Sequence, residues 1–208
     1  MKKKLLSLVC IFSSVFCFSQ AVKQGDIIID GYYGFPNLFS VVIKTAINNI
    51  EGVIPTNIKI KSVGPFGLRF EYLLNDKIGV GLEGNYTNTS ATWLGESKNT
   101  HQKYFYEIEV PRYRIMPRFN FHFVKSNEQL DGYFAIAAGY LSRSIHVNSN
   151  DPKFNPKKIG TLIPVAFKVA VGLRYLFTDN IGANMEVGLG GGPLIAFGLS
   201  AKFGNGSK

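Results

Sequence analysis

The chain is poor in cysteine. Only Cys10 and Cys17 occur among its 208 residues, and both lie close to the N-terminus. The rest of the sequence therefore offers neither a disulfide framework nor a thiolate metal site. After residue 18 it also lacks an apolar run long enough for a transmembrane helix. If this part of the chain crosses a membrane, it must do so as a closed β-barrel.

The first residues have the composition of a secretory signal peptide. Lys2 to Lys4 form a positive start, Leu5 to Phe18 is apolar, and small or polar residues follow it. We expect cleavage after Ser19 or after residue 21, with an uncleaved N-terminal anchor as the alternative. The sequence therefore predicts a signal peptide over residues 1–21 and a single domain over residues 22–208.

The charge is basic but dispersed. The formal net charge is +9, and most lysines and arginines stand singly, apart from short runs such as Lys157-Lys158. A nucleic-acid-binding surface would gather basic residues on one element. We therefore predict no nucleic-acid partner.

Four segments alternate cleanly between apolar and polar residues with a period of two, which is typical of strands with unlike faces. Four more show the pattern less cleanly, and Tyr133–Val147 is apolar on both faces for part of its length, so its facing stays open. In the third segment, Val80 and Leu82 share one face and Glu83 takes the other. The alternation changes phase near Pro111, which predicts a β-bulge there. The predicted strands are Asp26–Phe35, Phe66–Leu74, Ile78–Tyr86, Tyr104–Phe123, Tyr133–Val147, Val165–Phe177, Ile181–Leu189 and Leu194–Phe203.

The links between these strands sort by length. Three of the four links on one side are long, whereas the links on the other side are tight turns rich in Asn and Asp. This is the plan of an outer-membrane barrel, with both termini at the tight-turn end. The long links are Pro36–Ser62, Trp93–Lys103 and Asn148–Gly160.

The first long link contains a helical pattern. Asn37 is suited to cap a helix over about Leu38–Asn49, and Gly52 is suited to end it. Such a helix could lie on the outer leaflet or cover the barrel mouth. We favour a helix that closes the mouth.

The composition of the two strand faces indicates which one meets lipid. One face is built from Ile, Val, Leu, Phe and Tyr with aromatic residues near the strand ends, as membrane girdles require. The other is rich in Gly, Ala and charges of both signs, which suits a narrow interior. The predicted fold is all-β: an eight-stranded antiparallel up-and-down transmembrane β-barrel. A soluble lipocalin-like barrel with a ligand-lined interior is the alternative.

The last predicted strand carries a resemblance. Ala196–Phe203 has Gly198 followed by alternating apolar positions that end in the aromatic Phe203, and Gly204–Lys208 follow it. It resembles the β-signal read by outer-membrane assembly machinery. The whole chain resembles the small outer-membrane β-barrel proteins common in Bacteroidota, in the wider OmpA/OmpX-like class. The resemblance implies a cell outer-membrane location, a monomer, and contact with membrane lipid, lipopolysaccharide and the assembly machinery.

The predicted inward face carries acids and bases in nearly equal number. Such a set predicts an internal salt-bridge network that fills the lumen, because eight strands enclose little more than side chains. A narrow ion or solute path is the alternative. The predicted inward residues are Asp30, Arg69, Glu71, Glu83, Glu107, Glu109, Arg112, Arg114, Arg118, Lys168, Arg174 and Glu186.

One group of residues has an enzyme-like composition. Ser142, Ser144 and His146 share one face of the fifth predicted strand, and outer-membrane lipid A hydrolases pair a hydroxyl nucleophile with a nearby base. No acid follows on the same face, so a polar interfacial histidine is the simpler interpretation. His101 and His122 are too scattered for a metal site. We predict no enzyme, cofactor or metal, and keep Ser144 and His146 as the catalytic candidates.

The sequence thus predicts a structural or interaction protein of the cell envelope that presents its long loops to a protein partner outside the cell. An accessory barrel for protein secretion or assembly is the main alternative. An outer-membrane lipid hydrolase and a soluble binding barrel are two further ones. Architecture alone does not separate these roles.

Overall fold

The computed structural model describes residues 21–37, 43–45, 47–48, 53–97, 102–124, 127–152, 157–160 and 163–204. Nearly all of these residues are in strands or in the turns between strands. In chain order the strands are β1 (Ile27–Asn37), β2 (Val53–Asn75), β3 (Ile78–Ser97), β4 (Lys103–His122), β5 (Leu130–Arg143), β6 (Ile145–Ser149), β7 (Lys157–Ile159), β8 (Val165–Leu176), β9 (Ile181–Gly190) and β10 (Pro193–Phe203).

Eight of these strands close into a barrel. Each pairs antiparallel with its neighbours in the order β1, β2, β3, β4, β5, β8, β9, β10, and β10 returns to pair with β1. Closure leaves the barrel itself without an unpaired sheet edge. The predicted eight-stranded antiparallel barrel is confirmed.

The tight turns lie at the same end as the chain's first described residues. In the turn between β2 and β3, the Asn75 side chain accepts hydrogen bonds from the backbone N–H groups of Lys77 and Ile78. Thr178 caps the turn between β8 and β9 in the same way. The backbone N–H of Gln24 donates to Asp76, which places this part of the chain at the predicted end.

The strands β2, β3 and β4 continue well beyond the barrel on the other side. The loops predicted over Pro36–Ser62 and Trp93–Lys103 are therefore shorter than expected, because residues 53–62 and 93–97 are strand. β6 continues along β4 in the register of β5, and β7 pairs with β6. The upper parts of β2, β3 and β4 form a sheet above the barrel with β6 and β7. We call it the extracellular sheet, after the orientation predicted from the loop lengths.

The predicted bulge near Pro111 is wrong. β4 pairs with β3 without a register shift from Lys103 to Phe121, and the same alternate residues face inward along its whole length. Only the chemistry of that inward face changes, from charged in the barrel to apolar at Ile108 and Val110 above it. The pairing of β2 with β3 has three register shifts instead, and the middle one, between Val63 and Phe66, lies where the barrel meets the sheet above it.

The helix predicted over Leu38–Asn49 is seen only in part. Residues 43–45 and 47–48 are helical, and the rest of that span lies outside the described residues. The side chains of Ile43 and Ile47 are buried against the inner face of the extracellular sheet. This fits a helix that closes the barrel mouth. The predicted signal peptide lies outside the described residues except for Ala21.

Within the described part of the chain, the helical fragments are too short to form a membrane-spanning helix.

Candidate functional site

The barrel lumen is filled by ion pairs. Five carboxylate residues and five basic residues from seven of the eight barrel strands meet there, all of them at most a few per cent exposed. Burying a charge without a partner is very costly. Charged side chains can therefore fill this interior only if acids and bases pair with one another. The acids are Asp30, Glu71, Glu83, Asp131 and Glu186, and the bases are Arg69, Arg118, His122, Lys168 and Arg174.

Arg174 organises the half of this network that is closer to the tight turns. Its guanidinium donates to Asp30 at 2.9 Å and 3.2 Å, to Asp131 at 2.6 Å and to Glu71 at 3.2 Å. The ring nitrogens of His122 lie 2.7 Å from Asp131 and 2.8 Å from Glu71. Two ionised carboxylates accept from both ring nitrogens when both nitrogens carry protons, so this geometry fits the imidazolium cation.

Glu83 organises the other half. It accepts hydrogen bonds from Tyr32 at 2.6 Å, Lys168 at 2.7 Å and Arg118 at 2.7 Å. Glu186 pairs with Arg118 and Lys168 as well, and with Arg69 at 3.2 Å. With His122 as a cation, the ten groups carry no net charge. The predicted salt-bridge network is therefore confirmed, and it occupies the centre of the lumen.

The predicted inward set needs two corrections. Glu107 and Glu109 face away from the lumen, because β4 keeps its register through Pro111. Asp131 and His122 were missed, because Asp131 precedes the predicted fifth strand and His122, although inside the predicted fourth strand, was weighed only as a metal ligand. In the structure His122 pairs with Tyr133, two residues after Asp131. The alternation of His122 with the outward-facing Phe121 and Phe123 is the signal that could have placed it inward.

A second tier of bases lies above the network. Arg112 donates to Thr89 Oγ1 at 3.3 Å, and Arg114 donates to Asn85 Oδ1 at 3.1 Å. Arg143 faces Arg112 across the β4–β5 pairing. These arginines line the part of the lumen between the network and the extracellular sheet. The inward facing predicted for Arg112 and Arg114 is confirmed.

Both ends of the lumen are closed by apolar contacts. At the tight-turn end, Ala21 and Val22 are buried with Ile28, Leu73 and Leu176. At the other end, a cluster that we call the cap packs the helical residues against the extracellular sheet. The cap consists of Ile43, Ile47, Ala91, Trp93 and Val110, flanked by Ile58, Ile60, Tyr106, Ile108 and Ile145.

The outside of the barrel is an apolar belt. Each strand presents apolar side chains outward over about nine residues, which is enough for a tilted strand to cross the hydrocarbon core. Aromatic contacts mark its upper rim, with ring centroids 5.5 Å apart in Phe66–Tyr86 and 4.7 Å apart in Tyr86–Tyr113. Exposed members of the belt include Ile29, Tyr33, Leu68, Phe70, Leu82, Ile115, Phe119, Ile136, Phe167, Val171, Val187 and Leu199.

The belt decides between the two predicted barrel types. A soluble monomer rarely exposes a contiguous apolar patch larger than a few hundred Å². Here the apolar faces point out all around the barrel and the charges point in, which is the reverse of a ligand-lined soluble barrel. The soluble alternative is therefore wrong.

The polarity of the two faces reverses above the upper rim. On the outer face of the extracellular sheet, Lys61, Ser90 and Glu109 stand in one row across β2, β3 and β4. Glu109 accepts a hydrogen bond from the side chain of Asn88 at 2.8 Å. The inner face carries the cap instead. This part of the molecule thus has the polarity of a protein surrounded by water.

The structure places the catalytic candidates on this water-facing part. The backbone N–H of Ser144 donates to Pro111, and His146 lies opposite Glu109 in the pairing of β4 with β6. An acid does therefore stand beside the histidine, on the neighbouring strand rather than on its own. Among the described residues no hydrogen bond joins Ser144 to His146 or His146 to Glu109. The catalytic role of Ser144 and His146 stays a prediction.

A closed antiparallel barrel with an apolar belt, aromatic rims and a charged, packed interior defines a class: the small outer-membrane β-barrel proteins.

Comparison with solved structures finds proteins of the same architecture. The N-terminal β-barrel domain of Pseudomonas aeruginosa OprF has 13% identity and a TM-score of 0.44, with 88% of this chain and 100% of that chain covered. OprG from Pseudomonas aeruginosa has 14% identity and a TM-score of 0.48, with 89% and 99% covered. Ail of Yersinia pestis has 12% identity and a TM-score of 0.44, with 86% and 99% covered.

No protein-family model and no curated protein matches the sequence. The likeness to solved structures concerns the fold alone, so the membrane position of this chain follows from its own belt.

Proposed function

We propose that this protein is a non-conducting outer-membrane barrel whose extracellular sheet contacts a protein partner outside the cell. The observation that carries the proposal is the contrast between the closed lumen and the extracellular sheet. The lumen is filled with paired charges and closed by apolar clusters, whereas three barrel strands extend beyond the membrane as a sheet with a polar outer face.

The filled lumen argues against a transport role. Eight strands leave little interior space, and here the ten charged groups of the network occupy it. We expect the purified protein to give no stepwise conductance in planar lipid bilayers. Sustained single-channel openings of the intact protein would contradict this expectation, and would favour the narrow solute path.

The extracellular sheet offers a surface for a partner. Above Phe66 no described strand pairs with the edge of β2 that faces β1, so among the described residues the backbone groups of residues 53–63 on that edge have no neighbouring strand. Edge strands of this kind accept strands of other chains. The alternating Lys, Ser and Glu side chains of the outer face add polar contacts.

The proposal can be tested with single cysteines, because the sequence has none after Cys17. The variant Lys59→Cys places a thiol on the exposed outer face of β2, and Asp179→Cys places one in the exposed turn between β8 and β9. We expect thiol-directed cross-linking in intact cells to join Lys59→Cys to another protein and to leave Asp179→Cys alone. A reagent that cannot cross the outer membrane should label only Lys59→Cys.

The same pair of variants separates the two envelope roles. Cross-links formed only by Asp179→Cys would place the partner in the periplasm, as expected for an accessory barrel in secretion or assembly. Cross-links at neither position would count against an interaction role. Heat-modifiable gel mobility of both variants is the control for correct folding.

A lipid hydrolase is the second candidate, favoured only by the position of Glu109 opposite His146. A working triad would need the hydroxyl, imidazole and carboxylate to be joined by hydrogen bonds. Since these bonds are missing between the described side chains, we expect no hydrolysis of a labelled outer-membrane lipid by the wild type. Hydrolysis that is lost in Ser144→Ala and in His146→Ala would reverse this assignment.

A further inference from the structure

The apolar belt contains a notch just below its upper rim. Its volume is about 560 Å³, and its walls are almost entirely apolar. The notch is open on the side that faces the membrane, so a ligand in it would lie along the barrel surface. It is bordered by Phe66, Leu68, Gly84, Tyr86, Tyr113 and Ile115.

The notch exists because Gly84 stands at an outward position. In the β-sheet register Gly84 lies between Leu68 and Ile115, both of which project from the barrel surface. A Cβ atom at Gly84 would meet only the carbonyl oxygen of Arg114, at 3.9 Å. The glycine is therefore not required by the backbone or by close packing. Its effect is to leave an apolar space open to the membrane.

The position of the notch identifies what can fill it. It belongs to the lipid-facing belt and lies beneath Tyr86 and Tyr113, whose rings mark the upper rim. The chains of outer-leaflet lipids reach this depth, and they bring the apolar surface that the walls require.

A basic residue stands above the notch on the same outer face. Lys61 precedes Phe66 by five positions on β2, which puts its backbone about 10 Å above the rim for a strand tilted by about 45°. Its long side chain can bend back toward the rim. Among the described residues no carboxylate lies within salt-bridge distance of Lys61. Glu109, in the same row, is held by Asn88.

We propose that this notch is a binding site for one outer-leaflet lipid, with an acyl chain lying over Gly84 between Leu68 and Ile115 and a headgroup phosphate paired with Lys61. The acyl chain supplies apolar contact and the phosphate supplies charge complementarity. The site rests on the membrane position of the barrel and not on the proposed protein partner, so the two can fail separately.

The test compares two glycines of the same row. Gly84→Leu fills the notch, and Gly31→Leu adds the same side chain at another outward position beside Leu68, where a Cβ atom would also meet only an ordinary contact, at 3.7 Å. Each protein is placed in nanodiscs of phosphatidylcholine with a minor share of phosphatidic acid that carries the same chains. Native mass spectrometry then measures the lipid that stays bound after release from the nanodisc.

We expect the wild type and Gly31→Leu to retain one phosphatidic acid in preference to phosphatidylcholine. Gly84→Leu should retain at least about tenfold less, since several buried CH₂ groups lose their contacts. Lys61→Gln should keep a bound lipid but lose the preference for phosphatidic acid. Equal retention by Gly84→Leu and Gly31→Leu, or no headgroup preference in the wild type, would overturn the proposal. Heat-modifiable mobility confirms that each variant is folded.

Discussion

Replacing Glu83 by alanine is expected to lower the free energy of unfolding by about 3–5 kcal/mol, the usual cost of removing one partner from a buried ion pair. Glu83 is fully buried, and Lys168, Arg118 and the hydroxyl of Tyr32 all donate to it. Without this carboxylate the network would hold five bases and four acids, and the second tier of arginines above it would add further positive charge. The measurement is reversible urea unfolding of the protein in lipid vesicles, followed by the gel mobility of the folded form.

Glu109→Ala is the matched control for this prediction. Glu109 is also a strand carboxylate with a hydrogen-bond donor, but it is exposed on the outer face of the extracellular sheet. Exposed polar pairs contribute about 0–1 kcal/mol, so the control should unfold near the wild-type urea concentration. If both variants lost the same small amount of stability, the ion pairs of the lumen would contribute little to the free energy of unfolding, which would contradict the prediction.

The alternation of the strands explains why part of the lumen network could be predicted from the sequence. Residues such as Arg69, Glu83 and Lys168 interrupt otherwise small-residue faces of clearly alternating strands, so their facing follows from the period of two. Asp131 and His122 lie at the strand ends next to the tight turns. Asp131 precedes the predicted fifth strand, so only its pairing opposite Arg174 of β8 shows that it points inward. His122 alternates with the outward-facing Phe121 and Phe123, so its inward facing follows from the period of two, and only its place in the network was missed.

The error in β4 has a different physical origin. The apolar residues of β4 change phase near Pro111, and this change predicts a bulge that turns the strand. In the structure the strand does not turn, and the medium outside it changes from lipid to water instead. Below the upper rim the outer side of the strand meets lipid, so Tyr113 and Ile115 point out. Above it the outer side meets water, so Ile108 and Val110 point in toward the cap. A continuous strand that crosses a membrane boundary reverses its apolar face without any bulge.

β2 makes the same transition by the opposite means. Its apolar residues occupy even positions on both sides of the rim, as Ile58 and Ile60 in the cap and as Phe66 and Leu68 in the belt. Keeping even positions while changing face requires one extra residue, and the register shift between Val63 and Phe66 supplies it. The sequence pattern alone cannot distinguish β2 from β4, because neither sequence indicates at which residue the strand passes from lipid into water.

The cap is the feature that the sequence predicted least completely, and it gives the second large expected effect. Trp93, the only tryptophan, is buried there and its ring stacks on Tyr106 at 5.5 Å. Ile47→Asp would bury a carboxylate in this apolar cluster, at a cost of about 3 kcal/mol or more unless the helical residues move away. We expect the helical segment to detach from the sheet while the barrel stays closed.

Tryptophan fluorescence measures this detachment directly, because Trp93 would pass from an apolar contact into water. The Ile47→Asp variant should show red-shifted emission and stronger quenching by iodide, and the first loop should become sensitive to added protease on intact cells. Ile54→Asp is the matched control, since Ile54 lies in the same extracellular region with a side chain that is 48% exposed. Unchanged emission in Ile47→Asp would mean that the helical residues do not hold the cap together. A loss of heat-modifiable mobility would instead mean that the cap is needed to close the barrel, which would make the extracellular sheet and the membrane barrel one cooperative unit.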